Sequence, residues 1–308
     1  MPILRITITG NAARLHRERR PLMPVLNRAL RADQGPVTIM VHGFKYHPGH
    51  PVHCPHGPIP ARPTKRAYRS VVNWPARLGM HGQPGGGLGL SLGWSARGSI
   101  WAARASAQAA GHTLAALISD IRGVDPDRKI NLIAHSLGAR VALTAIRAGA
   151  PGAVNRAILL AAAEYAEAAR SALDSEGGAG TTILNVTSRE NDLFDFLLER
   201  LIAPPRPGDR MLGHGGFCHP RLVTLQLDDT RSLLALRQAG FHIAPPERLI
   251  CHWSPYLREG VFLLYRAVLD GSMPLETLRA LLPTDCAPRW SRLRPRLPIP
   301  QPPLLPAE

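Results

Sequence analysis

Lysine is almost missing from this chain of 308 residues: Lys45, Lys65 and Lys129 are the only three. The formal charge of +15 therefore rests on arginine, dispersed along the sequence. Binding driven by counterion release needs cations clustered against phosphates. The densest groups, Arg17 to Arg20 with the intervening Glu18 and the RWSRLRPRLP stretch, accompany no recognisable nucleic-acid module. The charge reads as arginine on a solvated surface, with a smaller place for a partner-binding role, and nucleic acid is not the expected partner.

Cysteine is scarce and scattered. Cys54, Cys218, Cys251 and Cys286 form no C-x-x-C pair, which argues against a zinc or redox site and against a disulfide framework. Long apolar runs are also lacking: nothing approaches the roughly 20 residues that a membrane span needs. The opening MPILRITITGNAARLHRERR has no uninterrupted apolar stretch behind a basic start, as a secretory leader would. The expected location is the cytoplasm.

What is present suffices for one large core, since 45% of the chain is hydrophobic. Short apolar runs alternate with helical patterns, which predicts a mostly parallel sheet with helices on both faces. The predicted strands are ILRITIT, VTIMVHG (37–43), SVVNW (70–74), INLIAHS (130–136), RAILLAA (156–162), TTILNVT (181–187) and LVTLQL (222–227). Helices are predicted at 99–123 and 137–149, the latter stopped by a glycine. Residues 46–66, rich in proline and without periodicity, form an irregular excursion. The main domain covers 1–287, and 288–308 reads as a proline-rich, extended or disordered tail.

Two stretches invite a serine nucleophile. Gly89-Leu90-Ser91-Leu92-Gly93 matches G-x-S-x-G by letter; Ala134-His135-Ser136-Leu137-Gly138 misses it at the first position. The signature stands for a buried strand, a strained turn and a helix that starts at once. INLIAH before Ser136 is strand-like and LGARVALTAIRAG after it is helix-compatible, so Ser136 is the preferred nucleophile. The run around Ser91 reads instead as a flexible glycine-rich loop, because alternating glycine costs backbone entropy.

With that strand-serine-helix unit, and VTIMVHGF some 90 residues before it, the chain resembles the α/β-hydrolase family over roughly residues 36–270, and looks closest to small bacterial members with an A-H-S-L-G elbow. The resemblance implies an α/β-hydrolase fold and an oxyanion hole built from the amides of Phe44 and Leu137. It also implies an acid after the strand at 181–187 and a histidine in a late loop. SRENDLFD offers Glu190, Asp192 and Asp195; Asp192 is preferred by its place in the loop, with a helix N-cap as its alternative use. Of His242 and His252, the second stands directly before the final helix and fits the base.

The implied chemistry is acyl transfer through Ser136, Asp192 and His252 on a small acyl substrate, most simply a carboxylic ester, with no cofactor. An acyltransferase or amidase would use the same triad, and a catalytically silent binding protein would keep the fold alone. His47, His50, His53, Cys54 and His56 crowd one loop, but interleaved prolines and irregular spacing argue against a metal there. His214 and His219 flank another glycine-rich loop and read as structural; His135 packs beside the elbow. The segment 164–180 is too short for much more than one helix, so little or no cap is expected. The rim would be open or covered only by 46–66 and 193–220.

Overall fold

Strand residues in this chain point alternately to two helical layers, and that alternation builds the molecule. The computed structural model describes residues 3–57, 72–80 and 85–293. In chain order these hold β1 (Ile3–Thr9), β2 (Ala12–Leu15), α1 (Leu22–Ala32), β3 (Val37–Val41), α2 (Trp74–Arg77), β4 (Leu88–Gly93) and α3 (Ile100–Val124). There follow β5 (Ile130–His135), α4 (Gly138–Ala148), β6 (Arg156–Leu160), α5 (Ala166–Asp174), β7 (Thr182–Thr187), α6 (Asp192–Leu201) and β8 (Leu222–Gln226). Last come α7 (Thr230–Gln238), α8 (Ser254–Leu257), α9 (Val261–Asp270) and α10 (Leu275–Leu281).

The eight strands form one sheet in the order β2-β1-β4-β3-β5-β6-β7-β8, parallel except for the β1–β2 hairpin. Ile39 and Val41, Leu132 and Ala134, and Ala157 and Leu159 face one layer, with Leu26 of α1, Leu114 of α3, Val141 of α4 and Leu173 of α5. Met40, Ile133, Ile158, Leu184 and Val186 face the other, with Trp74 of α2, Leu236 of α7, Tyr256 of α8, Tyr265 of α9 and Leu278 of α10. Both faces being covered explains why the strands are continuous apolar runs. Only α5 stands as a helix between β6 and β7, so no cap domain is inserted there.

Two sequence expectations are corrected. The GLGLSLG run is not a loop: Leu88, Leu90 and Leu92 are buried in β4, hydrogen-bonded between β1 and β3. Leucine at every second position is a strand period, and the small residues between leave room for His56, whose Nε2 would stand 2.5 Å from a Cβ at Gly93. SVVNW is not a strand where it is described, because Asn73 accepts from the Ala76 amide at 3.0 Å and caps α2, which opens on Trp74-Pro75. Residues 70 and 71 lie outside the described part. The hairpin strand β2 was not foreseen; AARL has one fully inward side chain, Leu15, and gives no pattern to find.

The expected tail begins docked. Trp290 packs edge-on to Phe196 of α6 at 5.6 Å, and Arg289 pairs with Glu199 at 2.6 Å. These anchors precede the densest proline run, and 294–308 lies outside the described residues.

Helix α4, which starts two residues after Ser136, is set by its contact with α3. At Gly111 a Cβ would lie 2.4 Å from Thr144 Cβ and 2.8 Å from the Val141 carbonyl oxygen. Gly111→Val is expected to lower stability by at least about 2 kcal/mol through overpacking, read as a fall in the urea midpoint with unchanged slope.

Candidate active site

The loops that follow β3, β5, β7 and β8 emerge at the carboxyl ends of the parallel strands, where open α/β sheets bind ligands. Ser136 directly follows β5 and adopts φ +54°, one of five described non-glycine residues at positive φ. A side chain in that region costs of order 1–3 kcal/mol and must be held by its surroundings. Here the Ser136 amide donates to the Leu160 carbonyl at 2.9 Å, and its carbonyl accepts from Ala139 at 3.0 Å and Ala163 at 3.1 Å. Helix α4 begins two residues later, at Gly138.

Two glycines let the turn close. A Cβ at Gly138 would lie 2.6 Å from the His42 carbonyl oxygen, and one at Gly43 would lie 2.7 Å from Ser136 Cβ. The loop after β3 therefore touches the elbow backbone directly. His42 fixes that loop: its Nε2 accepts from the Trp94 amide at 3.1 Å, which leaves Nδ1–H to donate to the Gly43 carbonyl at 2.8 Å. The Trp94 indole donates back to the His42 carbonyl at 3.1 Å, and the two rings stack. Phe44 follows at once, and its amide and that of Leu137 donate to no backbone carbonyl among the described residues.

Ser91 is placed quite differently. It is fully buried in the middle of β4 with Oγ 3.2 Å from His56 Nδ1, and no helix starts after it. This is a packing hydrogen bond inside the sheet.

The loop after β7 is a single 3-10 turn, Arg189–Asn191, capped by Ser188, whose Oγ accepts from the Glu190 amide at 3.2 Å. The sequence expectation for the acid is corrected here. Asp192 does not meet His252: its Oδ2 accepts from the Trp290 amide at 2.7 Å and its Oδ1 lies 3.3 Å from Arg189. The place beside the imidazole belongs to Asn191, whose Oδ1 is 2.6 Å from His252 Nδ1. The tight turn ends one residue before Asp192, so the helix turns Asp192 toward Arg189 and the tail while Asn191 faces the histidine. Glu190 is occupied as well, ion-paired with Arg258 and bonded to the Ser188 hydroxyl at 2.9 Å. Its carbonyl accepts from the Cys251 amide at 2.9 Å, which ties the His252 loop to the β7 loop. Asp195 is buried behind Asn191, accepting from Asn191 Nδ2 at 2.9 Å.

His252 is thus positioned from several sides. Phe194 of α6 stacks on its ring at 4.6 Å, and the His135 ring, one residue before Ser136, stands 4.6 Å away. His135 Nε2–H donates to the His252 carbonyl at 3.1 Å. His242 lies elsewhere, its carbonyl packed against Gly260. Sequence reasoning missed Asn191, although Asn191 and Asp195 stand four residues apart, the spacing at which amide and carboxylate meet on a helical turn.

Among the described residues no three His, Cys, Asp or Glu side chains group as a metal site, and no helix is long and apolar enough to cross a membrane. A groove of about 1040 Å³, lined by Leu233, Arg237, Ile243, Phe262 and Leu263 among others, includes neither Ser136 nor His252.

Residues 21–161, somewhat under half of the chain, match a family described as alpha/beta hydrolase of unknown function (DUF900). The matched part runs from near the start of α1 to the end of β6, and so contains the His42–Phe44 loop and the Ser136 elbow. The fold is that of an α/β hydrolase. No curated protein matches the chain. The match stops before Asn191, Asp195 and His252, so half of the site rests on geometry alone.

Burial holds the imidazoles of the site neutral. His42 and His135 are lowered to about 4 and His56 to about 3, in each case chiefly by desolvation, and His252 lies well below 6.5 for the same reason, with His135 adding to it. The unfolded chain takes up these protons near 6.5, before the folded one, so stability falls as pH drops from about 6.5 toward 4, by up to ~1.4 kcal/mol per pH unit for each proton. Asp195, raised to about 7 by burial, and Asp192, raised by burial as well, contribute with the opposite sign, but two carboxyls are set against four rings. Thermal unfolding should show a nearly flat midpoint above pH 7 and a steep fall between 6 and 4.

Proposed function

We propose that this protein is a serine hydrolase cleaving a carboxylic ester or related acyl bond, with Ser136 as nucleophile, His252 as base and Asn191 as the group that orients the base. The observation that carries this reading is the strained serine at +54° between a strand and a helix, held beside a loop whose next amide donates to no backbone carbonyl among the described residues. Strain of this kind, locked by three backbone hydrogen bonds, is kept where a hydroxyl must be lifted from the sheet.

In the forward step Ser136 Oγ attacks the substrate carbonyl carbon while its proton passes to His252 Nε2. The amides of Phe44 and Leu137 receive the oxyanion. Collapse of the tetrahedral adduct breaks the bond to the leaving group, which takes the proton from the imidazolium and departs. Water, deprotonated by His252, then attacks the acyl-enzyme and returns the serine.

An amide at the third position is compatible with this chemistry. Its task is to accept from Nδ1–H, so that the lone pair lies on Nε2, and Cys-His-Asn proteases divide the work in the same way. Leu249, Ile250 and Trp253, exposed in the loop that carries His252, suit an apolar substituent on the substrate. The same triad would serve an acyltransferase or amidase, and competing acceptors in the assay separate these by product.

A fluorophosphonate probe is expected to label the wild type and to lose labelling with Ser136→Ala, while Ser91→Ala labels normally provided that it folds. Hydrolysis of p-nitrophenyl esters of graded chain length should fall with Ser136→Ala by about 1000-fold or more. Full labelling of the Ser136→Ala protein would remove this reading, and an unlabelled wild type would favour a silent fold used for binding.

A further inference from the structure

The amide of Asn191 is nearly symmetrical in shape, so packing alone does not decide which end faces His252. Its neighbours decide it. With oxygen toward the ring, Nδ1 carries the proton and Nε2 holds the lone pair that a general base needs. With nitrogen toward the ring, the tautomer reverses and Nε2–H can accept nothing from Ser136. Asparagine by itself is compatible with both arrangements.

We propose that Asp195 is the positioning residue that breaks this tie: as an acceptor-only carboxylate it holds Asn191 Nδ2, turns Oδ1 toward His252 and thereby keeps the base in its working tautomer. The inference rests on the hydrolase reading above. The two contacts, 2.9 Å from Asn191 Nδ2 to Asp195 Oδ1 and 2.6 Å from Asn191 Oδ1 to His252 Nδ1, form one continuous line. The flipped amide would set its oxygen against the carboxylate and its N–H₂ against the ring nitrogen.

The carboxylate is kept in a place that does not favour it. Asp195 is 3% exposed, and burial raises it to about 7; Arg289 and Arg189 act against that shift, while Asp192 and Glu199 add to it. A Cβ at Gly213 would lie 1.9 Å from Asp195 Oδ2, so the facing loop is bare where this side chain stands. A carboxyl kept where burial works against its ionised form points to a role in the site rather than to folding.

The test uses the full chain at pH 8, above the shifted range of Asp195, with histidine ¹⁵N labelled and His252 assigned through His252→Gln. Wild type should show His252 with the proton on Nδ1. In Asp195→Leu a substantial fraction should move to Nε2–H. A folded Asp195→Leu whose His252 stays wholly Nδ1–H would overturn the proposal, and Asp195→Ala, which crowds nothing, carries the same two outcomes should the leucine variant not fold.

Rates give a second reading. Asp195→Leu should slow fluorophosphonate labelling by about 10- to 100-fold, whereas in an Asn191→Asp background the same substitution should change it by no more than about threefold, since the close pair then shares one proton, which burial leaves on Asp195, and either oxygen of the carboxylate at 191 accepts from Nδ1–H. Equal losses in both backgrounds would mean a merely structural Asp195 and would sink the idea. Absence of labelling in the wild type would remove the hydrolase reading, while the tautomer measurement would still decide the role of Asp195.

Discussion

A serine held at φ +54° is the constraint on which the rest of this site depends. The conformation is unfavourable for any residue with a Cβ, so it survives only where neighbouring backbones over-determine it. Strand β6 supplies the Leu160 carbonyl, the Ala163 amide supplies a donor, and α4 closes the turn through Ala139. For these to converge, β3 and its loop must come within van der Waals distance of the elbow. The absence of side chains at Gly43 and Gly138 is what permits that approach. The apolar layers on either side of the sheet then hold the strands at fixed spacing, so the energy of the core maintains the strain of one residue.

The second half of the site is assembled by polar contacts rather than by the sheet. The loop after β7 and the segment between α7 and α8 meet through the Glu190 carbonyl and the Cys251 amide, backed by the buried Arg258–Glu190 pair. Breaking such a pair from one side strands a buried charge, which makes it an effective lock on register even where its net contribution to stability is small. The two halves touch where the His135 imidazole donates to the His252 carbonyl. Held by His135 on one side and by Asn191 and Phe194 on the other, the His252 ring has little freedom to relocate.

Much of the fold could be read from the chain because buried parallel strands and their crossover helices announce themselves by run length and period. Six of the seven predicted strands coincide with β1, β3, β5, β6, β7 and β8, and the helices expected around 99–123 and 137–149 are α3 and α4. The loop expected around Ser91 is instead the buried strand β4. The entropy of glycine was weighed above the alternation of Leu88, Leu90 and Leu92, and in a central strand flanked on both sides the alternation prevails. Asn191 was hidden for a different reason. A carboxylate is the usual partner of a catalytic imidazole, and three were on offer within six residues; which of them faces inward depends on whether a 3-10 turn or an α-turn follows β7, a difference of one residue in phase.

That one-residue phase changes where the negative charge sits. With a carboxylate in contact, a histidine gains both its tautomer and electrostatic support for the imidazolium. With Asn191 interposed, Asp195 stands one hydrogen bond further back, and the Coulomb term weakens with distance while the tautomer control is retained in full. The arrangement also keeps a carboxylate off the face of a ring already beside His135, in a pocket where burial keeps both imidazoles neutral. A second carboxylate at position 191 would stand within hydrogen-bond distance of Asp195, and two such groups cannot both ionise without cost. Given Asp195 where Gly213 admits it, an amide at 191 is the residue that satisfies the ring on one side and the carboxylate on the other.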